Sequence, residues 1–336
     1  VKFLSFLYGP QELGQTFLRY LPSVINSRKR IGIKKIINAV YAEFERRIKR
    51  VKLKSHPFIL HIELTNFCNL QCPYCLTGNN TNFQQKGSLK FEDFKQIIDS
   101  MKDYLVLVRL DGIGESFLNS NFIKMVEYAT QNNIISAVSS NFVISDKKLI
   151  ENLIDAGLDY LIVGLDGATQ EAYEKVRPGG KLETVVENIK FLVEKKKSKK
   201  SKTPYIETQF ITFEENHTDV EPTKKLSESL KVNRHLTKDL RNYVSNITEY
   251  KSHKPEPCYW LWYVLNVTWQ GDLKACCLEG LASKFSFGNI LKNNILDEWN
   301  NDSMIKIRKL FMNQDPEVMN EMKTCICLDC YKLKGL

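Results

Sequence analysis

From His56 onward the chain repeats one unit, a short apolar and β-branched run followed by a helical stretch. The runs are Phe58–Leu64, Leu105–Leu110, Ile134–Val138, Tyr160–Leu165 and Tyr205–Phe213; the stretches between them include Lys90–Met101, Asn121–Asn132, Asp146–Ala156 and Leu182–Lys195. Strands joined by helical crossovers build a mostly parallel sheet, because only a long connection returns the chain to the end from which a parallel strand must start. The expected fold class is α/β, with chemistry at the C-terminal ends of the strands.

The 336 residues suffice for two domains or for one large barrel with an appendage. No apolar run approaches the roughly twenty residues that span a bilayer. Val1–Tyr8 runs into Gly9-Pro10 without a small-residue cleavage pattern, so a cytoplasmic chain is expected. Its nine cysteines then read as thiols or metal ligands rather than as a disulfide framework.

The net charge of +9 is unevenly placed: residues 1–55 hold 13 Lys/Arg and 3 Glu, leaving 35 Lys/Arg against 36 Asp/Glu in the remainder. In that basic segment Leu18, Leu21, Val24 and Ile25, then Ile33, Ile36, Ile37, Val40, Phe44 and Ile48, recur at helical spacing. Two amphipathic helices broken near Arg30–Gly32 are expected, either packed on the domain with a solvated basic face or lying on a membrane or partner. The run Lys195–Lys202 is expected to be a solvated loop. Nucleic acid is not an expected partner, because the positive charge is not interleaved with stacking aromatics.

The last third differs from the repeats. Cys258–Cys277 predicts a hairpin turning at Gln270-Gly271-Asp272, and a helix is expected over Ile295–Met312 ahead of a cysteine-rich tail. A boundary near 240–255 divides the chain into an arm (1–55), a barrel-like domain (56–250) and a C-terminal domain (251–336).

Cys68, Cys72 and Cys75 form CxxxCxxC just after the first strand. Three thiolates on one loop can hold three irons of a four-iron cluster and leave the fourth open; zinc is the alternative, but it usually takes a fourth Cys or His. Six further cysteines (Cys258, Cys276, Cys277, Cys325, Cys327 and Cys330) suffice for one auxiliary cluster or a zinc knuckle. Polar residues also share strand faces: His61, Glu63 and Thr65 on the first, Arg109 and Asp111 on the second, Glu207 and Gln209 on the fifth. Burial of Glu63 or Asp111 would raise its pKa toward that of a useful base; paired structural roles are the alternative.

Over residues 56–336 the chain resembles the radical S-adenosylmethionine (SAM) superfamily, in particular members with a C-terminal SPASM or twitch domain. CNLQCPYC at 68–75 is similar to the family's cluster loop, including Tyr74, which by resemblance lies near adenine. Gly114-Glu115-Ser116 resembles the segment that receives the SAM amino group, with serine in place of proline. Ser139-Ser140-Asn141 and Gly164-Leu165-Asp166-Gly167, with Tyr173 and Arg177 downstream, resemble two further SAM-contacting blocks. Gly164 replaces the usual serine; Arg177 is implied to meet the SAM carboxylate, and Asp166 a SAM or substrate hydroxyl. Cys258, Cys276, Cys327 and Cys330 are the implied auxiliary ligands, with Cys325 a possible substitute.

The resemblance implies a partial (β/α)6 barrel with a hairpin-plus-helix cluster domain, two 4Fe-4S clusters and SAM. It implies reductive cleavage of SAM to a 5′-deoxyadenosyl radical and hydrogen abstraction from the substrate, with Glu63, Asp111 and Asp166 as candidate catalytic groups. A net oxidation assisted by the auxiliary cluster is expected, with flavodoxin or ferredoxin as reductant. Because no leader-binding domain is evident and the first 55 residues are basic, a small-molecule, sugar or lipid-linked substrate and peripheral membrane contact are expected. The alternatives are a peptide- or protein-modifying enzyme and, in another class, a zinc module that binds nucleic acid.

Overall fold

The computed structural model of the chain describes residues 13–27, 29–75, 78, 85–239, 257–276, 286–313, 315–323 and 325–329. Two helices, α1 (Leu13–Asn26) and α2 (Ile33–Arg47), come first. β1 (Ile59–Ile62), β2 (Leu107–Arg109), β3 (Ile135–Ser140), β4 (Tyr160–Gly164), β5 (Tyr205–Thr212) and β6 (Arg234–Asp239) then pair in parallel, each beside the one before it. The crossovers carry α3 (Phe91–Met101), α4 (Phe122–Gln131), α5 (Lys147–Asp155), α6 (Gln170–Val176), α7 (Leu182–Ser198) and α8 (Val220–Ser229). Every residue of β1 and β4 is buried, as expected of parallel strands covered on both faces. The helix starts are set locally: the Asp146 carboxylate accepts the N–H groups of Lys148 at 2.8 Å and Leu149 at 3.2 Å and so caps α5.

The C-terminal region adds α9 (Tyr259–Tyr263), β7 (Val264–Val267), β8 (Leu273–Lys274), α10 (Ile295–Trp299), α11 (Asp302–Asn313) and α12 (Pro316–Glu321). Among the described residues the eight strands make one sheet in the order β6-β5-β4-β3-β2-β1-β7-β8. The sheet does not close, so the barrel is partial.

Several expectations need correction. The first arm of the predicted hairpin is helical over Tyr259–Tyr263, and β7 pairs in parallel with β1, opposite to its antiparallel pairing with β8. The C-terminal region therefore extends the barrel sheet. β6 was not legible because its sequence, RHLTKD, is polar, as an edge strand can be. The predicted helix over Ile295–Met312 breaks after Trp299, where the Asn300 side chain turns to pair with both backbone groups of Leu53, at 2.8 and 2.9 Å. Lys195–Ser198 is the last turn of α7, and Lys195 and Lys199 meet Glu151 and Asp155 beside α5. These lysines are tethered to the body rather than freely solvated.

The N-terminal segment is helical and broken where expected, but it closes the barrel. Arg19 of α1 reaches Glu207 and Gln209 of β5, and Tyr20 stacks edge-on against Tyr160 with centroids 4.9 Å apart. Lys29 pairs with Asp159, which directly precedes β4, and Lys35 Nζ donates to the carbonyls of Asn132 and Asn133 ahead of β3. Asn38 pairs with the backbone of His56. These contacts lie at the N-terminal ends of the strands, opposite the end where chemistry is expected, with Arg19 reaching from there along β5 to Glu207 and Gln209.

The same segment is also fastened to the C-terminal region. Arg46 Nε donates to the Tyr263 hydroxyl at 2.7 Å, Trp262 Nε1 donates to the Arg50 carbonyl at 2.9 Å, and Glu43 meets both Arg46 and Tyr263. Buried Arg308 donates to the carbonyls of Leu261, Val51 and Trp299 and lies 4.5 Å from the Trp299 ring. Carbonyl dipoles thus replace a carboxylate around this guanidinium, and burial pushes its pKa down to about 9.

Candidate active site

Two polar clusters sit at the C-terminal ends of the strands. The first surrounds the CxxxCxxC loop. The backbone N–H of Cys75 donates to the Cys72 carbonyl at 3.1 Å, so the second and third cysteines share a tight turn. Burial pushes the Cys68 and Cys72 thiols up, and each also feels the negative charge of Cys75. Binding iron must therefore displace protons from groups that hold them firmly.

The four sequence blocks converge on this loop. The Glu115 N–H donates to the Phe67 carbonyl at 2.7 Å, and its buried carboxylate accepts the N–H groups of Asn141 at 2.9 Å and Phe117 at 3.3 Å. Gly114 is required here, since a Cβ would stand 2.2 Å from the Thr65 carbonyl oxygen. Ser116 Oγ is spent on the Leu110 carbonyl, which holds this turn in the way the absent proline would by ring closure. Ser140 Oγ accepts the Phe142 N–H at 2.8 Å. Asn141 Nδ2 lies 2.8 Å from Asn69 Oδ1 and 3.9 Å from Cys68 Sγ, tying the third strand to the cluster loop.

Arg177 Nε donates to Asp166 Oδ2 at 2.5 Å, and Asp166 Oδ1 accepts the Ile211 N–H at 2.6 Å. Asp166 thus serves as an anchor for the guanidinium. A Cβ at Gly164 would lie 2.2 Å from Arg177 Nη2, so the departure from serine at 164 makes room for the arginine. The Tyr173 hydroxyl is buried with no hydrogen-bond partner among the described residues, and it lies within electrostatic reach of Arg177, Asp166 and Cys72. Burial pushes its pKa up to about 12. Tyr74 stacks on Phe213 at 4.1 Å and reaches Glu215 through its hydroxyl. Phe213 and Glu215 follow β5 and carry no local signal that points to this loop.

The second cluster is a small cleft lined by His61, Glu63, Asp111, Gly112, Ile113, Asn266, Val267 and Thr268. His61 is held at both nitrogens, Nδ1 at 2.6 Å from Asn266 Oδ1 and Nε2 at 2.8 Å from Asp111 Oδ1. Asp111 also meets Arg109 and accepts the Ser139 N–H at 3.1 Å. Burial opposes its charge, but Arg109 and His61 outweigh burial and hold the carboxyl below the usual range. Glu63 is different. Its contacts are two long ones to the N–H groups of Ile113 at 3.4 Å and Trp269 at 3.5 Å, and burial pushes its pKa up to about 7. Glu207 and Gln209 do not join the cleft, since Arg19 and Tyr160 occupy Glu207 and Arg19 also takes Gln209.

Asn266, Thr268 and Trp269 were missed by the sequence reading, because β7 reaches the cleft only through its pairing with β1, where His61 lies opposite Asn266. In the C-terminal region Cys258, Cys325 and Cys327 are buried in the core and Cys276 is half-buried at the end of β8. Cys277 and Cys330 lie outside the described residues.

The chain matches the family model of the radical SAM superfamily over residues 62–218 and that of an iron-sulfur cluster-binding domain, SPASM, over residues 258–331. The chain belongs to the radical SAM superfamily. The enzyme is 32% identical over 138 residues to the mycofactocin maturase MftC of Mycobacterium tuberculosis, a match covering 40% of this chain and 34% of MftC. It is 27% identical over 121 residues to the PqqA peptide cyclase of Granulibacter bethesdensis, covering 36% of this chain and 32% of the cyclase. These matches span about a third of each relative's length. In fold it is similar to Streptococcus suis SuiB bound to the precursor peptide SuiA, with a TM-score of 0.64 and 13% identity over 96% of this chain and 82% of SuiB. BtrN in complex with AdoMet and 2-DOIA is a further neighbour, with a TM-score of 0.51 and 16% identity over 77% of this chain and 88% of BtrN.

Family membership brings SAM and two iron–sulfur sites, and the residues present fit them. Three thiols share one loop, an orphaned tyrosine hydroxyl and an anchored guanidinium lie beside it, and Cys258, Cys325 and Cys327 of the C-terminal region are buried. Among the described residues no three His, Cys, Asp or Glu side chains close on a single metal ion.

Proposed function

We propose that this enzyme carries out radical SAM chemistry on a peptide or protein substrate, with the 61/63/111 cleft as the place where the substrate reacts. The match of the radical SAM and SPASM models within one chain carries the reaction class. The substrate class is supported by the relatives, one named a peptide cyclase and one structural neighbour bound to a precursor peptide. The small-molecule, sugar or lipid-linked substrate expected from the sequence has less support among them.

Cys68, Cys72 and Cys75 would hold the SAM-binding cluster, and Cys258, Cys276, Cys327 and Cys330 the auxiliary one, with Cys325 as the spare thiol. Once loaded and reduced, by a flavodoxin or ferredoxin, the first site supplies the electron that splits SAM into methionine and a 5′-deoxyadenosyl radical. Asn141 and Glu115 hold the loop on which SAM would sit, and Arg177, fixed by Asp166, would present its remaining N–H groups to the SAM carboxylate. The proposed outcome is a net oxidation, dehydrogenation or cross-link formation: 5′-deoxyadenosine carries off one hydrogen atom of the substrate, and the electron left behind would pass to the auxiliary cluster. Glu63 then takes the proton that the oxidised substrate releases, a role matched to a carboxyl with a pKa near 7. His61, clamped by Asn266 and Asp111, orients the substrate beside it.

The test is anaerobic turnover of the reconstituted enzyme with SAM and two substrate panels, deuterated peptides and deuterated aminocyclitols or sugars. Deuterium in 5′-deoxyadenosine from a peptide, with loss of two hydrogens from that peptide, is the expected result. Transfer from the small molecules alone overturns the substrate class.

A further inference from the structure

α2 is amphipathic in the reverse of the usual sense. Its buried residues are Lys35, Asn38, Ala42, Glu43 and Glu45, and four of the five are polar or charged. The apolar side chains face outward: Ile33 is 70% exposed, Ile37 61% and Phe44 51%, with Ile48, just past the helix, at 48%. At 100° per residue these four lie within one narrow stripe. A surface helix normally buries that stripe, since leaving it in water forfeits the burial that stabilises most helices in proteins.

The exposed charges that the helix itself carries around the stripe have one sign. Both acids of the helix are turned inward: Glu43 meets Arg46, Arg47 and Tyr263, and Glu45 accepts the N–H groups of Lys54 and Ser55 as well as Arg50. Lys34 and Arg47 flank the stripe, Lys34 paired with exposed Asp103 of the body. Arg30 and Lys49 are exposed just beyond the two ends. Residues 1–55 as a whole carry 13 cations against 3 acids, whereas the rest of the chain is close to neutral.

We infer that the outward face of α2 docks on an anionic lipid bilayer, with Ile33, Ile37, Phe44 and Ile48 inserted among the lipids and the flanking cations at the headgroups. Charge complementarity selects an anionic surface. A bilayer suits a single convex helix face, because insertion needs no complementary groove. A second copy is disfavoured, since it would bring Lys34 and Arg47 against the same cations. α2 lies at the N-terminal ends of the strands, so a docked enzyme turns its catalytic end toward water, and the contact sets location rather than delivering a lipid-linked substrate. The inference does not depend on the proposed function.

Co-sedimentation of the full chain with vesicles of phosphatidylglycerol and phosphatidylcholine, and with phosphatidylcholine alone, tests it without any activity readout. Binding to the anionic vesicles should exceed that to the neutral ones by about tenfold or more and weaken with salt. I37E/F44E should abolish it at unchanged Tm, because both side chains are already in water, and R30E/K49E should reduce it about tenfold or more. Three results overturn the inference. They are indifference of the native chain to anionic vesicles, undiminished binding by I37E/F44E, and a dimer in solution that I37E/F44E dissolves. A lowered Tm of I37E/F44E with unchanged vesicle binding would assign the stripe to residues 1–12 of the chain itself.

Discussion

Glu63 and Glu207 stand on parallel strands of the same sheet and are both buried, yet their surroundings oppose each other. Glu207 receives the Arg19 guanidinium, the Tyr160 hydroxyl at 2.6 Å and, at 3.7 Å, Arg234. Glu63 receives two long backbone contacts and no cation at hydrogen-bonding distance among the described residues. One carboxylate is neutralised, so that the end of the barrel closed by the N-terminal helices is a structural seal. The other is desolvated with weaker compensation, from two long N–H contacts and the charges of Lys274 and Lys86, which is costly for folding and useful for proton transfer. The same residue type thus acquires opposite roles from what the distant chain brings to it.

Four changes would break or sharpen this contrast. The largest expected effect removes the chemistry from the catalytic end and leaves the seal untouched. Cys72→Ala should lose about four of about eight irons per chain and all SAM cleavage, with the Arg19–Glu207 seal and the far-UV CD spectrum unchanged. Iron analysis and 5′-deoxyadenosine assays check it, and retention of both iron and cleavage would remove Cys72 from the ligand set.

Next is Glu63→Gln. It should slow product formation about a hundredfold to ten-thousandfold while 5′-deoxyadenosine is still released. The pH dependence separates a base from a packing residue. With a folded pKa of about 7, above that of an ordinary carboxyl, the folded state holds the proton more tightly than the unfolded state. The stabilising contribution is therefore complete at pH values below the usual carboxyl range and is lost as pH rises through about 7. Product formation should rise over the same interval as the base ionises, and both dependences should vanish in Glu63→Gln.

At the sealed end Arg19→Ala leaves Glu207 buried without its strongest partner and should cost about 3–5 kcal/mol of stability, read from denaturant unfolding. SAM cleavage at low temperature should persist. If Arg19→Ala instead removed cleavage at full stability, the distinction between the two ends would fail. The smallest effect belongs to Gly164→Ser, which restores the residue usual in the family. Its Cβ meets Arg177 Nη2, so the KM for SAM should rise about tenfold, equivalent to about 1.4 kcal/mol, with kcat nearly unchanged.

Much of the cluster site was legible, because its residues lie in short blocks whose spacing survives folding. Cys68, Cys72, Cys75, Gly114, Glu115, Asn141 and Asp166 each follow a strand, with Arg177 closing the short helix after Asp166, and a parallel sheet carries the ends of its strands to one side. The partners that determine what those residues do were not legible. Phe213 under Tyr74, Asn266 against His61 and Arg19 against Glu207 are 139, 205 and 188 residues distant in sequence, and none belongs to a local pattern. The predicted hairpin is present as β7 and β8, but its seam with β1 was not legible for the same reason, since nothing in VLNV announces that it pairs there.

The sequence by itself determined the α/β class, the order of the blocks that converge on the CxxxCxxC loop, the two groups of cysteines and the concentration of positive charge in the first 55 residues. Periodicity, turn chemistry and thiol spacing act over a few residues, so these features can be read before the chain folds. Tertiary structure alone decided that the basic segment seals the barrel, that α2 turns its apolar side outward, and that burial outweighs the charges around Glu63. Charge and burial depend on neighbours within a few ångströms in space, and folding chooses those neighbours from anywhere in the chain.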